Sequence, residues 1–166
     1  IKDVLSKSKD RVIATIQPAH IYRLQEILNA SIKTRKKVII MGKRLQDLVT
    51  RSIELGYIDF DKNNIGDLAN INDTNAVIII SDEKEKPFMN LERIIKGFDK
   101  YIKLRETDTI FITEPPYEGI EKRTALMMDE IAKVGVTAIS LSAKKQPHRQ
   151  QMLCSRSHKH EASVLQ

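Results

Sequence analysis

RVIATIQPAHIYRLQE, residues Arg11 to Glu26, decides how the rest of the chain is read. Its first half, Arg11 to Ile16, is a short, β-branched, near-continuous apolar run instead of an alternating one, the pattern of a strand buried on both faces. Gln17-Pro18 breaks the run, because proline fixes φ and donates no hydrogen bond to a ladder. From Ile21 the period changes, with Ile21, Leu24, Ile27 and Leu28 on one face of a helix. His20 and Arg23 fall in the opening turn of that helix, just past the carboxyl end of the strand. They are either ordinary surface residues or the lining of a site.

The same handover repeats down the chain. Apolar segments recur at Lys37 to Met41, Ala76 to Ile80, Thr109 to Thr113 and Val136 to Leu141. Helical spacing lies between them, at Leu45, Leu48, Val49, Ile53 and Leu55, at Leu91, Ile94, Ile95 and Phe98, and at Leu126, Met127, Ile131 and Val134. Gly56 and Gly135 follow two of these patterns, where a helix end takes φ > 0. Strand and helix in strict alternation predict an α/β fold of three layers, doubly wound in the Rossmann or flavodoxin manner, on a mainly parallel sheet of about five strands. Ligands of such sheets bind outside the carboxyl ends of the strands. That singles out the loops Gln17 to His20, Gly42 to Arg44, Ser81 to Pro87, Glu114 to Lys122 and Ser142 to Gln150. Tyr57 to Asn75 reads as a long polar connection, and residues 154–166 as an unstructured or divergent tail behind one domain spanning 1–153.

Bulk properties narrow the function. The chain has 166 residues, 41% hydrophobic and 30% charged, which suits one soluble globular domain. A net charge of +6 is compatible with an anionic partner. The single cysteine, Cys154, has no partner for an internal disulfide, and a reducing, cytoplasmic setting is expected. No apolar run approaches a membrane span, so no membrane association is expected.

Motifs exclude more than they assign. Gly42-Lys43 follows a strand and opens a helix, but the full GxxxxGK[ST] phosphate loop is missing and no GxGxxG occurs. What remains is a cationic pair near a helix N-terminus, either touching phosphate or simply solvated. Ser81-Asp-Glu-Lys-Glu-Lys-Pro87 reads as a solvated charged loop, its carboxylates lacking the spacing of a calcium site. Glu114-Pro-Pro-Tyr-Glu-Gly119 is a prolyl turn, and at the end of a central strand it is also a wall for a groove. His158 and His160 stand near Cys154 without zinc-site spacing, so no metal site is assigned. His148 lies among Lys144, Lys145 and Arg149, a basic setting that suits a phosphate-bearing ligand.

Taken together, these segments resemble the β-CASP domain of the RNase J family of metallo-β-lactamase-fold ribonucleases. Arg11 to Ile58 resembles the family's opening strand, its Ser-His/Asn-Ile-x-Arg helix start, its Gly-Arg-Lys-Val strand and its Ile-Glu-Leu-Gly-Tyr helix end. Thr107 to Gly135 resembles the later strand, proline-containing turn, Gly-x-Glu and helix. The likeness covers roughly Arg11 to Leu153. It implies an RNA-cleft domain that binds single-stranded RNA and completes an active site formed by a metallo-β-lactamase domain. That other domain carries the HxHxDH motif and the zinc; the motif does not occur in this chain. The parent protein is then a metal-dependent ribonuclease, a phosphodiester hydrolase of RNA processing. This chain holds no cofactor of its own and is inactive alone.

Carried over position by position, the resemblance implies His148 as the catalytic histidine near the scissile phosphate. It implies phosphate contacts at His20, Arg23, Ser81, Ser142, Lys144, Lys145 and Arg149. The family's Thr-Gly-Ser-Gln-Gly-Glu-Pro loop is replaced by Ser81 to Pro87, which places three carboxylates where phosphate should run. Its His-x-Ser-Gly-His-Ala-Ser loop keeps only the second histidine, as His148, with Pro147 replacing glycine and removing a backbone donor. These departures leave open a degenerate subunit that binds protein or RNA beside an active ribonuclease, in a homo-oligomer or with a paralogue. Aromatic stacking is poorly provided for, Tyr22 and Tyr117 being the best candidates.

Overall fold

The computed structural model describes residues 1–83, 85–115 and 117–141. A short helix α1 (Lys2–Lys7) precedes β1 (Val12–Ile16), α2 (Ile21–Lys33), β2 (Lys37–Ile40), α3 (Lys43–Glu54), β3 (Ala76–Ser81), α4 (Met89–Ile95), β4 (Thr109–Ile112), α5 (Glu121–Val134) and β5 (Thr137–Ser140). The five strands form one sheet in the order β2-β3-β1-β4-β5, every pair parallel. The expected α/β architecture is what forms, with β1 at the centre.

Both faces of the sheet are buried, which is why the strands read as unbroken apolar runs. On one face Val12, Ala14, Ile16, Val38, Ile40, Val77 and Ile79 pack with Leu5 of α1, Leu24, Ile27 and Leu28 of α2, and Leu45 and Val49 of α3. On the other, Ile13, Ile39, Ile78, Ile80, Ile110 and Ile112 pack with Leu91 and Ile94 of α4 and Met127 and Ile131 of α5. Alternate residues of each strand feed opposite clusters, as the two-residue period of a strand requires.

The stretch from Tyr57 to Asn75 is more than the polar connection expected. Ile58 and Phe60 are buried in the first cluster and Ile71 in the second. Between them Ile65 forms a parallel bridge with Val38, and the Gly66 N–H donates to the Val38 carbonyl at 2.7 Å. The chain thus passes beyond the sheet edge, touches β2 as a one-residue strand, and changes face before entering β3. Right-handed connections require that change, because the chain moves outward through α3 and back inward past Ile71. The period was illegible because each buried residue lies in a different turn. Helix α1, which carries no periodic signal in six residues, was also not anticipated; its Leu5 is fully buried.

Four expected core positions face solvent. Leu55 and Phe98 lie past the ends of α3 and α4, followed or preceded by Gly56 (φ 78°) and Gly97 (φ 76°), which break the helical phase. Phe98 is 76% exposed as a result. Leu126 and Val134 of α5 are exposed as well, its buried stripe narrowing to Thr124, Met127 and Ile131.

The amino end of the sheet is held by one buried ion pair. Arg11, entirely inaccessible, donates from Nε to Oδ1 of Asp108 at 2.9 Å and from Nη2 to Oδ2. Its remaining donors reach the carbonyls of Ile71 (2.9 Å) and Lys103 (2.7 Å). The guanidinium fork therefore ties β1, the return connection and the start of β4 together.

Candidate functional site

The site follows from the strand order. The helix after β1 covers one face, while those after β3 and β4, the strands on either side of β1, cover the other. The backbone therefore parts at the carboxyl end of β1, leaving the crevice in which ligands of doubly wound sheets bind.

His20 stands at this point. The turn before α2 closes with the His20 N–H donating to the Gln17 carbonyl at 2.9 Å. The imidazole Nδ1 lies 2.8 Å from Oε1 of Glu114, at the end of β4, so the pair spans the crevice between two neighbouring strands. The histidine side chain is 48% exposed and the glutamate 10%. Thr113, beside Glu114, donates its hydroxyl to the Thr15 carbonyl at 2.6 Å and fixes this end of β4 against β1.

Asp82, first residue after β3, contradicts the picture of three carboxylates facing a phosphate. Its side chain turns inward, is buried, and accepts the Phe88 N–H at 2.7 Å. That bond holds the residue before α4, whose φ of 64° is left-handed. Burial pushes the Asp82 carboxyl above its usual range; the Phe88 N–H opposes the shift, Glu114 adds to it, and Arg123 of α5 opposes it. Glu83 stands 3.6 Å from Arg44 across the mouth of the loop, and Glu85 is exposed.

Beside the crevice a cleft of about 770 Å³ opens along α3, lined by Pro18 and Ala19, Gly42 to Leu45, Arg51, Ser81 and Glu83 among others. Helix α3 starts without a side-chain cap after Gly42, whose φ of 94° favours glycine. Its first amides, with the positive end of the helix dipole, make this an anion-favouring wall. Lys43, Arg44 and Arg51 supply cations and Asp47 and Glu83 oppose them.

The expected residues are therefore partly gathered. His20 lies in the crevice, and Ser81 lines the cleft, with its carbonyl and hydroxyl accepting from Asn90 Nδ2 at 2.9 and 3.2 Å. Arg23 is half-buried in the first turn of α2, and nothing among the described residues pairs with it. Tyr22 is 79% exposed beside it, whereas Tyr117 is partly buried against the second cluster. Ser142, Lys144, Lys145, His148 and Arg149 lie outside the described residues, as does the tail 154–166. Glu114, Asp82 and Arg123 were not singled out as site residues. Each is an ordinary charge in its own loop or helix, and only strand order brings them to His20. Among the described residues no three His, Cys, Asp or Glu side chains are placed to hold a metal ion. No helix among them is long and apolar enough to cross a membrane.

Residues 9–131 match the family model described as the β-CASP domain of Ribonuclease J. The chain belongs to the Ribonuclease J β-CASP family. The match runs from the approach to β1 into α5, so it takes in the loops at the carboxyl ends of β1 to β4. Relatives agree across more of the chain. It is 26% identical over 151 residues to Ribonuclease J of Mycoplasma pneumoniae, covering 89% of this chain and 26% of that protein. It is 28% identical over 151 residues to Ribonuclease J2 of Bacillus subtilis, covering 89% and 27%. To Ribonuclease J of Synechocystis it is 24% identical over 139 residues, covering 82% and 22%. The chain thus spans about a quarter of the length of these relatives. Within the β-CASP family frame, the His20–Glu114 crevice and the α3 cleft sit side by side at one end of the sheet.

Proposed function

We propose that this β-CASP domain holds single-stranded RNA across the carboxyl end of its sheet, as the RNA-cleft part of a zinc-dependent, RNase J-like ribonuclease. The observation that carries the reading is the α3 cleft. An uncapped helix N-terminus, three cations and a glycine at positive φ line a groove beside the switch-point crevice. A polyanion with a flexible backbone can follow that groove, and neutralised phosphates give most of the affinity. Arg23, which has no partner among the described residues, extends the cationic track onto α2.

The hydrolytic chemistry on this reading is that of zinc in a companion metallo-β-lactamase domain, which generates hydroxide and neutralises charge on the phosphate. The residues described here contribute binding and orientation. Outside the described residues, the family resemblance assigns His148 to the scissile phosphate and Ser142, Lys144, Lys145 and Arg149 to neighbouring phosphates.

The test is a fluorescence-anisotropy titration of the chain with a labelled single-stranded RNA at two salt concentrations. The reading predicts binding that weakens steeply with salt and is strongly reduced in a Lys43→Ala, Arg44→Ala, Arg51→Ala triple variant. Salt-insensitive binding, or a triple variant that binds like the parent, would contradict it.

A further inference from the structure

His20 and Glu114 make a side-chain contact across the crevice. It bridges the loops after β1 and β4 at the crevice and lies outside both core clusters. The carboxylate is nearly enclosed and the imidazole is half in solvent. Among the described residues no second hydrogen-bond partner engages the ring, so its other edge is free.

The chemistry of the pair follows from its donors and acceptors. An ionised carboxylate only accepts, so the 2.8 Å contact requires the ring hydrogen to be on Nδ1. Neutral His20 then presents Nε2 as a bare acceptor, and protonated His20 presents it as an N–H donor. A phosphodiester offers only acceptor oxygens and can meet the ring only in its protonated form. The charge that acts on the Glu114 side is Asp82 from the loop after β3, which in turn feels Arg123 of α5; Arg23 follows on the same helix as the ring, and the Arg44–Glu83 pair belongs to the neighbouring cleft. With Nδ1 tied to Glu114, the proton on Nε2 decides whether this point can donate to a phosphate.

We propose that Glu114 is a positioning residue that locks His20 in its Nδ1–H form, so that Nε2 faces the crevice and binds an RNA phosphodiester as a proton-linked contact. The inference rests on the RNA-binding reading above and specifies how one of its residues works. It also accounts for the burial of Glu114: a carboxylate free to move would leave the ring free to turn.

Two measurements on the intact chain test it. The first needs no RNA: long-range ¹H–¹⁵N correlation of the histidine rings at pH 8.5, with His20→Gln assigning the signal. The wild-type chain and Glu114→Gln, whose amide oxygen still accepts, are expected to show the Nδ1–H form. Glu114→Ala is expected to revert to the Nε2–H form that free imidazole side chains prefer. An Nε2–H form in the wild type, or no change in Glu114→Ala, overturns the positioning role. The second compares RNA affinity at pH 6 and pH 8. Wild-type affinity should fall as pH rises, by at most about tenfold per unit for one linked proton, and His20→Gln should lose that part of the dependence. Equal pH dependence in both overturns the phosphate contact while leaving RNA binding itself intact. No RNA binding at either pH overturns the contact together with the reading beneath it.

Discussion

Replacing Arg11 with methionine separates what holds this domain together from what it binds. The guanidinium is fully buried, makes two bonds to the Asp108 carboxylate and one each to the carbonyls of Ile71 and Lys103. Methionine fills similar volume but returns none of these bonds. Asp108 would keep the Arg105 N–H at 2.9 Å and the partly exposed Arg105 guanidinium at 4.0 Å, but would lose the buried partner that compensates most of its charge. Breaking one side of a buried pair costs about 3–5 kcal/mol. The two orphaned carbonyls, at roughly 1 kcal/mol each, push the loss to the upper end of that range. For a domain of this size 1 kcal/mol moves the melting temperature by about 2–4 °C, so Arg11→Met should melt about 10–20 °C lower. Removing the stranded charge as well, in Arg11→Met with Asp108→Leu, should recover a large part of the loss. Thermal denaturation followed by circular dichroism reads both. The pair lies a strand's length, about 20 Å, from the crevice. RNA affinity of Arg11→Met, measured well below its melting point, should therefore match the parent. A melting temperature within about 2 °C of wild type would refute the energetic argument.

Two further substitutions probe the carboxyl end. The folded-state pKa of Asp82 is raised above its unfolded value, so the stabilising condition is the protonated one, present at acid pH and lost as pH rises through the folded-state value. Asp82→Asn keeps an oxygen for the Phe88 N–H and carries no charge; it should melt higher than wild type at pH 7, with the difference closing towards pH 4. A difference that widens towards acid pH would reverse the assigned cause. Arg23→Ala should weaken RNA binding and reduce the slope of log affinity against log salt by roughly one unit, the signature of one phosphate contact. An unchanged slope would return Arg23 to the solvated surface.

Strands and helices were legible in the sequence because their burial is contiguous or periodic. Val12 to Ile16 and Ala76 to Ile80 are covered on both faces, so no polar residue interrupts the pattern until Thr15, whose carbonyl anchors Thr113. The helical stripes of α2 and α3 were equally plain. Strand order was not legible, since nothing local in a strand records its neighbours. The adjacency of β1 to both β3 and β4 is what turns three separate charged loops into one site. His20 was found from its place after a strand; Glu114 was seen only as part of a prolyl turn. Asp82 misled for a related reason: a carboxylate in a run of alternating charge reads as solvated unless the Phe88 N–H that draws it inward is known. The Tyr57–Asn75 connection hid its role because Ile58, Phe60, Ile65 and Ile71 share no period, although three of them are buried and the fourth extends the sheet edge.

The central claim is that RNA lies across the carboxyl end of this sheet, and backbone amide shift mapping tests it most directly. A ¹⁵N-labelled chain titrated with single-stranded RNA should show perturbations concentrated at residues 17–23, 42–45, 81–83 and 113–119. The amino end around Arg11, Lys36 and Asp108 should stay unmoved. Perturbations centred on that opposite end, or spread evenly over the surface, would contradict the account.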